Sequence, residues 1–448
     1  MSRSITASYL QAVRALAHTG DGDRLLPLTG AQRRFVLSRL MGDQGKADII
    51  FVFFVFPRGT VDVGRLRRAA TALSWRHAAL RGTFTIRRMT PVLTFGTPSA
   101  EVERVPVAPG RSTHETVRDA LSHWPADGPV LRLLLTEGPE PDEELLAVAL
   151  DHAAGDEAAL DIVTAGLTEW YADAPDDETL AGLVARPSTD ASDAYRAAVL
   201  RQLETEGKAS TAAHLAHWAE RLRDLPGPGR PAWRTPGTGP ETGDGRPRPE
   251  AGMLTCRLAP VPERARGRLF PALLDALGEA VRQRPDGDGT GVLGYPWGGR
   301  PAGTPDILGC FINTLAHPVG SGAAGLDAVT DDWWDDLDHA DTPFDQVLHT
   351  VRGHSSGWNG ALTAGLTFEN VGRRPPLVLG GVAGRETHIA LRPTSTPLAV
   401  SASHGDDLLI RLVWDRALVR EDDARQAFDT VVSTYRSHLE SAVPRPVI

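Results

Sequence analysis

The sequence contains very little cysteine. Only Cys256 and Cys310 occur among its 448 residues, so the chain can form at most one disulfide. Neither cysteine has neighbours at the spacing of a metal site. This composition excludes disulfide-rich secreted scaffolds, and it predicts a protein of the reducing cytoplasm that binds no metal.

Long apolar segments and basic tracts are also missing. The most apolar stretch, residues 49–56, is shorter than the roughly 20 residues of a membrane-spanning helix, and the N-terminal residues lack the apolar core of a signal peptide. The 47 basic and 57 acidic side chains give a net charge of -10, with no basic run that could follow a phosphate backbone. We therefore expect neither membrane nor nucleic acid as a partner.

Strand-like and helix-like patterns alternate along the chain, which predicts a mixed α/β fold. Residues 49–56 are typical of a buried strand, and further strand patterns cover 92–95 and 145–150. The length exceeds one average domain and predicts two lobes with separate cores. Residues 226–249 hold seven prolines and six glycines, which predicts an irregular loop.

The chain begins with a short amphipathic pattern. Residues 9–17 have helical spacing and are followed by Gly20 and Gly22, which break a helix. Terminal segments are poorly ordered unless other elements hold them. We therefore expect a frayed terminal helix here.

The most informative segment is the heptapeptide DHAAGDE at residues 151–157. It follows the apolar run 145–150 and opens a helical pattern that includes Val163 and Leu167. A histidine and two acids therefore lie where a strand passes into a helix. Because the unperturbed pKa of histidine, about 6.5, lies near working pH, His152 is the candidate general base.

The heptapeptide resembles the HHxxxDG motif of nonribosomal peptide synthetase condensation domains and their acyltransferase superfamily. Other segments resemble the family in its order: LTGAQRRFVLSRL from Leu28, RHAALRGTF from Arg76, GYPWGGRP from Gly294, GCFINTL from Gly309, TPFDQVL from Thr342 and LTFEN from Leu366. These segments cover nearly the whole chain. We identify the sequence as a free-standing condensation-domain homologue.

The resemblance implies a specific α/β architecture. Two chloramphenicol-acetyltransferase-like lobes would form a V-shaped pseudo-dimer, with His152 at the floor of the cleft. We expect an N-terminal extension over residues 1–24, a first lobe over 25–180 and a second lobe over 181–448. The boundary precedes the 226–249 loop because the helical pattern before that loop already resembles the start of the family's second lobe.

The resemblance also implies roles for the motif residues. His152 matches the second motif histidine, which has the base or positioning role. Asp156 matches the motif aspartate, which is structural and pairs with an arginine, and Arg300 is the expected partner. Tyr295, Trp297 and Asn313 lie in segments that border the family's active-site tunnel, and packing within the core is the alternative role for them.

Two motif positions depart from the family. Asp151 replaces the first histidine, and it is a solvated strand end, an orienter of His152, or the first acid of the DxxxxD motif of heterocyclisation domains. That motif continues to a serine where this chain has Ala159. Glu157 replaces the final glycine and would narrow the substrate channel, bind a cationic acceptor or face solvent; we expect the last.

An acid-rich run, DDWWDDLDHAD, occupies residues 331–341. Clustered carboxylates can hold a metal ion, but a run of like charges more often covers the solvated face of a helix. We expect the exposed helical face.

The resemblance implies an acyltransferase that joins a carrier-bound acyl or aminoacyl thioester to an amine, or a hydroxyl, in natural-product biosynthesis. The protein would be a cytoplasmic monomer without a bound cofactor, and carrier proteins acting in trans would present the substrates on phosphopantetheine. One alternative is an inactive condensation-like module that recruits partner proteins to a synthetase. Heterocyclisation and coenzyme A-dependent acyl transfer are two further alternatives.

Overall fold

The computed structural model describes most of the chain, and the predicted 226–249 loop lies outside the described residues. The described residues are 4–17, 25–41, 48–122, 124, 128–186, 188–225, 251–260, 267–285, 287–298, 300, 303–304, 307–322, 324–354, 357–389 and 396–441.

Twelve α-helices occur in this part of the chain. They are α1 (Ile5–Leu16), α2 (Gly30–Met41), α3 (Val63–Arg76), α4 (Thr113–Ser122), α5 (Glu157–Ala172), α6 (Asp177–Ala185), α7 (Thr189–Ala209), α8 (Ala212–Arg221), α9 (Leu269–Arg282), α10 (Leu326–Asp338), α11 (Phe344–Gly353) and α12 (Glu421–Ser441).

The same residues form sixteen strands. They are β1 (Leu25–Leu26), β2 (Ile49–Pro57), β3 (Gly82–Arg87), β4 (Thr90–Phe95), β5 (Glu101–Arg104), β6 (Leu131–Glu137), β7 (Glu143–Asp151), β8 (Ala251–Leu258), β9 (Gly291–Gly298), β10 (Ile312–Val319), β11 (Ala364–Asn370), β12 (Val378–Leu379), β13 (Val382–Ala383), β14 (Arg385–Thr387), β15 (Leu398–His404) and β16 (Leu408–Asp415).

The chain divides into two compact units, and the first is discontinuous in sequence. It comprises Met1–Lys208, Gly298–Ile312 and Pro375–Leu391, and the remaining residues form the second unit. This differs from the predicted boundary between residues 180 and 181. The physical reason is that α7 packs through Tyr195 and Leu203 into the core of the first unit. The predicted mixed α/β class is confirmed, and the V-shaped arrangement stays a prediction.

A five-stranded sheet with the order β14-β2-β7-β6-β5 forms the centre of the first unit. Alternate side chains of β2 enter two apolar clusters: Phe54 packs with residues of α3 and α5, whereas Phe53 packs with residues of α4. Both faces of the sheet are therefore covered by helices. This explains why residues 49–56 and 145–150 are unbroken apolar runs, since a strand buried on both faces needs no polar side.

Helix α1 is packed against the first unit, so the prediction of a frayed terminal helix is wrong. Tyr9, Val13 and Leu16 are buried in its main core. The Tyr9 hydroxyl donates to the carbonyl of Pro91 at 2.8 Å and accepts from the backbone N–H of Leu28 at 2.6 Å. These contacts anchor α1 to β4 and to the segment before α2.

We expect Tyr9→Phe to lower the free energy of unfolding by about 1–3 kcal/mol, because a buried carbonyl and a buried N–H lose their partner. Urea denaturation measures this change. Tyr435→Phe is the matched control, because the buried Tyr435 hydroxyl has no hydrogen-bond partner among the described residues. An unchanged stability for Tyr9→Phe would contradict the anchoring role.

The second unit contains a six-stranded sheet with the order β10-β9-β11-β15-β16-β8. Helices α9 and α12 lie against each other, and both contribute apolar side chains to the core that the sheet also enters. No described helix combines the length and the apolar character that crossing a bilayer requires.

Helix α10 carries most of the acid-rich run, and the predicted exposed face is present with one exception. Trp334 is 57% exposed, and most of the acids are exposed with it. Asp336 is instead fully buried, where it accepts from Arg221 Nε at 3.0 Å and lies 3.1 Å from His317 Nδ1. Helical periodicity turns this one acid inward toward a buried arginine and histidine.

Candidate functional site

His152 lies in the tight connection between β7 and α5, within the first unit. Its backbone N–H donates to the Asp48 carbonyl at 2.8 Å, which fixes the start of the connection against the residue before β2. Gly155 follows where a Cβ atom would lie only 3.0 Å from the Cβ of Ala159 and 3.2 Å from Leu150. The small residue therefore allows the turn to pass close to the sheet and the helix.

Two contacts hold the imidazole of His152. Phe35 of α2 stacks on the ring at a centroid distance of 4.1 Å and an interplanar angle of 18°. Nδ1 lies 3.0 Å from the carbonyl oxygen of Gly155. Because a carbonyl can only accept, Nδ1 must carry the proton in the neutral ring. The lone pair is then on Nε2, which makes no hydrogen bond to any described residue.

The environment favours the neutral form of His152. Desolvation lowers the pKa of His152 below its ordinary value, and the nearby Asp48 carboxylate acts in the opposite direction. The side chain nevertheless keeps partial exposure. A neutral imidazole with an accessible Nε2 has the protonation state that a general base requires.

Asp151 is buried and ion-paired, which excludes the solvated strand end among its predicted roles. It is 3% exposed, and one oxygen pairs with Arg39 of α2 while the other accepts from the backbone N–H of Ala153 at 2.9 Å. Burial raises the pKa of Asp151, and the charge of Arg39 opposes that rise. No hydrogen bond joins the described Asp151 side chain to the ring of His152, so orientation by direct hydrogen bonding is absent.

Asp156 links three parts of the first unit. It is the N-cap of α5 and accepts from the Ala159 N–H at 3.0 Å. It also accepts from both terminal nitrogens of Arg300, at 2.9 and 3.1 Å, and from the backbone N–H of Phe311 at 2.9 Å. The structure thus contains the expected pairing with Arg300, and every contact of the carboxylate has a structural character.

Glu157 is the first residue of α5 and is partly buried. The expectation that it faces solvent is therefore only partly met. A carboxylate in the first turn interacts favourably with the helix dipole, which accounts for an acid at this position. Its predicted place beside the substrate channel stays a prediction.

The three predicted tunnel residues belong to the second unit. Tyr295 is 2% exposed in the core of that unit, where its ring meets Phe270 edge to face. Trp297 is partly buried against the same core. The amide of Asn313 donates to the carbonyls of Ala340 and Thr342 at 2.8 and 2.6 Å. These contacts give Tyr295 and Asn313 structural roles, and tunnel lining stays a prediction.

Solved structures resemble this chain over most of its length. The condensation domain of the monacolin K polyketide synthase MokA matches with a TM-score of 0.65 and 17% identity, over 93% of this chain and 98% of that chain. The protein has the condensation-domain fold. No family model and no curated protein sequence matches it.

Two further neighbours show that this condensation-domain fold also occurs in domains with other names. The X-domain from teicoplanin biosynthesis matches with a TM-score of 0.66 and 18% identity, over 93% of this chain and 95% of that chain, and another structure holds the X-domain in complex with OxyB. The epimerization domain of tyrocidine synthetase B matches with a TM-score of 0.64 and 16% identity, over 93% and 96%. The fold alone therefore does not fix the activity.

Sequence reasoning missed the residues of α2 that contact the motif of this condensation-domain fold. Phe35 and Arg39 lie one helical turn apart and touch His152 and Asp151 respectively. Gln32 of the same helix donates to the carbonyl of Ala153 at 2.8 Å. The family-like segment LTGAQRRFVLSRL contains all three, and their spacing of three and four residues was the available signal that they share one face.

Proposed function

We propose that this protein is a condensation-type acyltransferase in which His152 Nε2 accepts a proton from an amine acceptor. The observation that carries the proposal is the fixed tautomer of His152: Nδ1–H is held by the Gly155 carbonyl and Nε2 has no protein partner among the described residues. The condensation-domain fold supports the same class of reaction.

In the proposed reaction the amine nitrogen attacks the thioester carbon of the donor. Nε2 takes the proton that the nitrogen loses, and the carbon–sulfur bond breaks as the tetrahedral intermediate collapses. The leaving thiolate then recovers the proton from the imidazolium, which regenerates the base. The amide and the free thiol are the products, and no metal or nucleotide takes part.

We further propose that the donor arrives on the phosphopantetheine arm of a carrier protein that acts in trans. The test is to incubate the purified protein with an acyl-loaded carrier and a panel of amine, hydroxyl and carrier-bound acceptors, and to detect the products by mass spectrometry. We expect an amide, a rate that depends on the carrier, and slower reaction with acyl-coenzyme A. Equal rates with acyl-coenzyme A would instead favour a coenzyme A-dependent enzyme.

The heterocyclisation alternative is disfavoured by the position of Asp151. Its carboxylate is committed to Arg39 and to the backbone of Ala153, which leaves no free acid at the first position of a DxxxxD motif. We expect linear amides from cysteine, serine and threonine acceptors in the same assay. A thiazoline or oxazoline product would overturn this expectation.

A recruitment module is the second candidate function. The similarity to the X-domain that was captured with OxyB, together with loss of the first motif histidine and the final glycine, supports this candidate. It predicts no product with any donor and acceptor pair, but a stable complex with another protein of the pathway. The product assay and size-exclusion chromatography with candidate partners separate the two functions.

A further inference from the structure

Helix α2 contacts the first two residues of the motif at the same time. Phe35 and Arg39 are four residues apart, so both side chains leave the same face of the helix. Phe35 stacks on the ring of His152, and Arg39 pairs with the neighbouring Asp151. One helix turn therefore determines the surroundings of both the candidate base and the acid beside it.

The Arg39–Asp151 pair is almost completely removed from water. Each side chain is 5% exposed. A buried carboxylate without a partner costs several kcal/mol, and it draws a proton or a cation from its surroundings. The adjacent His152 is the nearest group in sequence that could supply a positive charge.

Asp151 and His152 interact electrostatically. The positive charge of a protonated His152 lowers the pKa of Asp151. Coupling between two sites is reciprocal, so an uncompensated Asp151 carboxylate must favour the imidazolium of His152 to the same extent. Arg39 supplies a positive charge that cancels this effect without placing a proton on the base.

We propose that Arg39 is a positioning residue for His152: its ion pair neutralises Asp151, so that the imidazole stays unprotonated and stacked on Phe35. This role explains how an acid can occupy the position of the first motif histidine without disabling the second. The consequence for the reaction rate rests on the proposed function. The consequence for the protonation of His152 does not.

Other charged or titratable groups also face this part of the first unit. Asp48 and Asp156 both favour protonation of His152, and Arg300 pairs with Asp156. Burial raises the pKa of Cys310 and of Tyr195, so both are uncharged at neutral pH. Because these groups stay unchanged in the variants below, differences between variants report the Arg39–Asp151 pair alone.

The test is a charge cycle that is read by NMR titration of the His152 imidazole. Arg39→Met should raise the pKa of His152 by about one to three pH units, the range for an unscreened opposite charge nearby. Asp151→Asn should lower the pKa, because the Arg39 charge is then unopposed. The double variant R39M/D151N, which removes both charges, should return the pKa close to that of the wild type.

Two controls separate this role from general destabilisation. Arg39→Lys keeps the charge and should keep the pKa of His152. Arg132→Met breaks another buried ion pair of the same unit, since Arg132 is 6% exposed and pairs with Glu101, and it should leave the pKa of His152 unchanged. If Arg39→Met does not fold, the comparison of Asp151→Asn with the double variant carries the test, because the double variant must have the higher pKa.

The proposal is overturned if Arg39→Met leaves the pKa of His152 unchanged, which would mean that Asp151 takes up the proton itself. It is equally overturned if the double variant does not reverse the effect of Asp151→Asn. In an active enzyme, Arg39→Met should also move the acid limb of the pH–rate profile upward and lower kcat at neutral pH more than it changes KM. A protein that shows the NMR cycle but forms no product would refute the proposed function and leave this inference standing.

Discussion

Replacing His152 with alanine is expected to lower the rate of amide formation by about 10² to 10⁴-fold, the range typical of a lost general base, while the protein stays folded. The ring makes one hydrogen bond and one stacking contact, so its removal affects few structural contacts. The change should appear in kcat, measured with saturating donor and acceptor.

The pH dependence gives this prediction a second readout. Because burial lowers the pKa of His152, the wild type should keep its rate as pH falls through the ordinary histidine value of about 6.5, and should lose it only at lower pH, where the base becomes protonated. His77→Ala is the matched control: burial also lowers the pKa of His77, to about 4, and this residue lies at the end of α3. A folded His152→Ala variant with full rate would exclude His152 as the base.

Arg300→Met is expected to cause a large loss of stability, about 3–5 kcal/mol, because it leaves the Asp156 carboxylate buried without its cation. Asp156 is 2% exposed and holds the start of α5 and the backbone of Phe311 through the same two oxygens. Denaturation by urea, followed by circular dichroism, measures the change. The predicted loss therefore concerns the support of the site and precedes any effect on chemistry.

A double variant distinguishes an unpaired charge from lost packing. R300M/D156N removes both charges and should be more stable than Arg300→Met, although it still lacks the ion pair. Arg58→Met serves as the control, because Arg58 and Glu137 are both more than half exposed, and such a pair contributes only about 0–1 kcal/mol. If Arg300→Met and Arg58→Met had equal effects, the pairing with Asp156 would not anchor the site.

Local patterns in the sequence predicted the elements around the site. The apolar run 145–150 and the helical spacing after it indicated a strand followed by a helix, and β7 and α5 occupy these positions. The Asp156–Arg300 pair came from the family resemblance, because 144 residues separate the partners and no local pattern connects them.

Contacts between distant residues were the part that the sequence could not supply. Arg39 and Asp151 lie 112 residues apart, and each alone has the character of an ordinary charged surface residue. Only the packing of α2 on the motif places them together. The same holds for Tyr9, whose hydroxyl finds partners in β4 and before α2 that helical periodicity cannot indicate.

The discontinuity of the first unit has a consequence for protein synthesis on the ribosome. Its central sheet takes β14 from residues near 386, and Asp156 takes Arg300. At about 5–20 residues per second, the ribosome needs roughly 7–30 s to extend the nascent chain from Asp156 to Arg300. During that interval the carboxylate has no cation and the edge of β2 has no neighbouring strand. A fragment that ends at residue 208 would stay permanently in this incomplete state, so the first unit is not expected to fold when expressed alone.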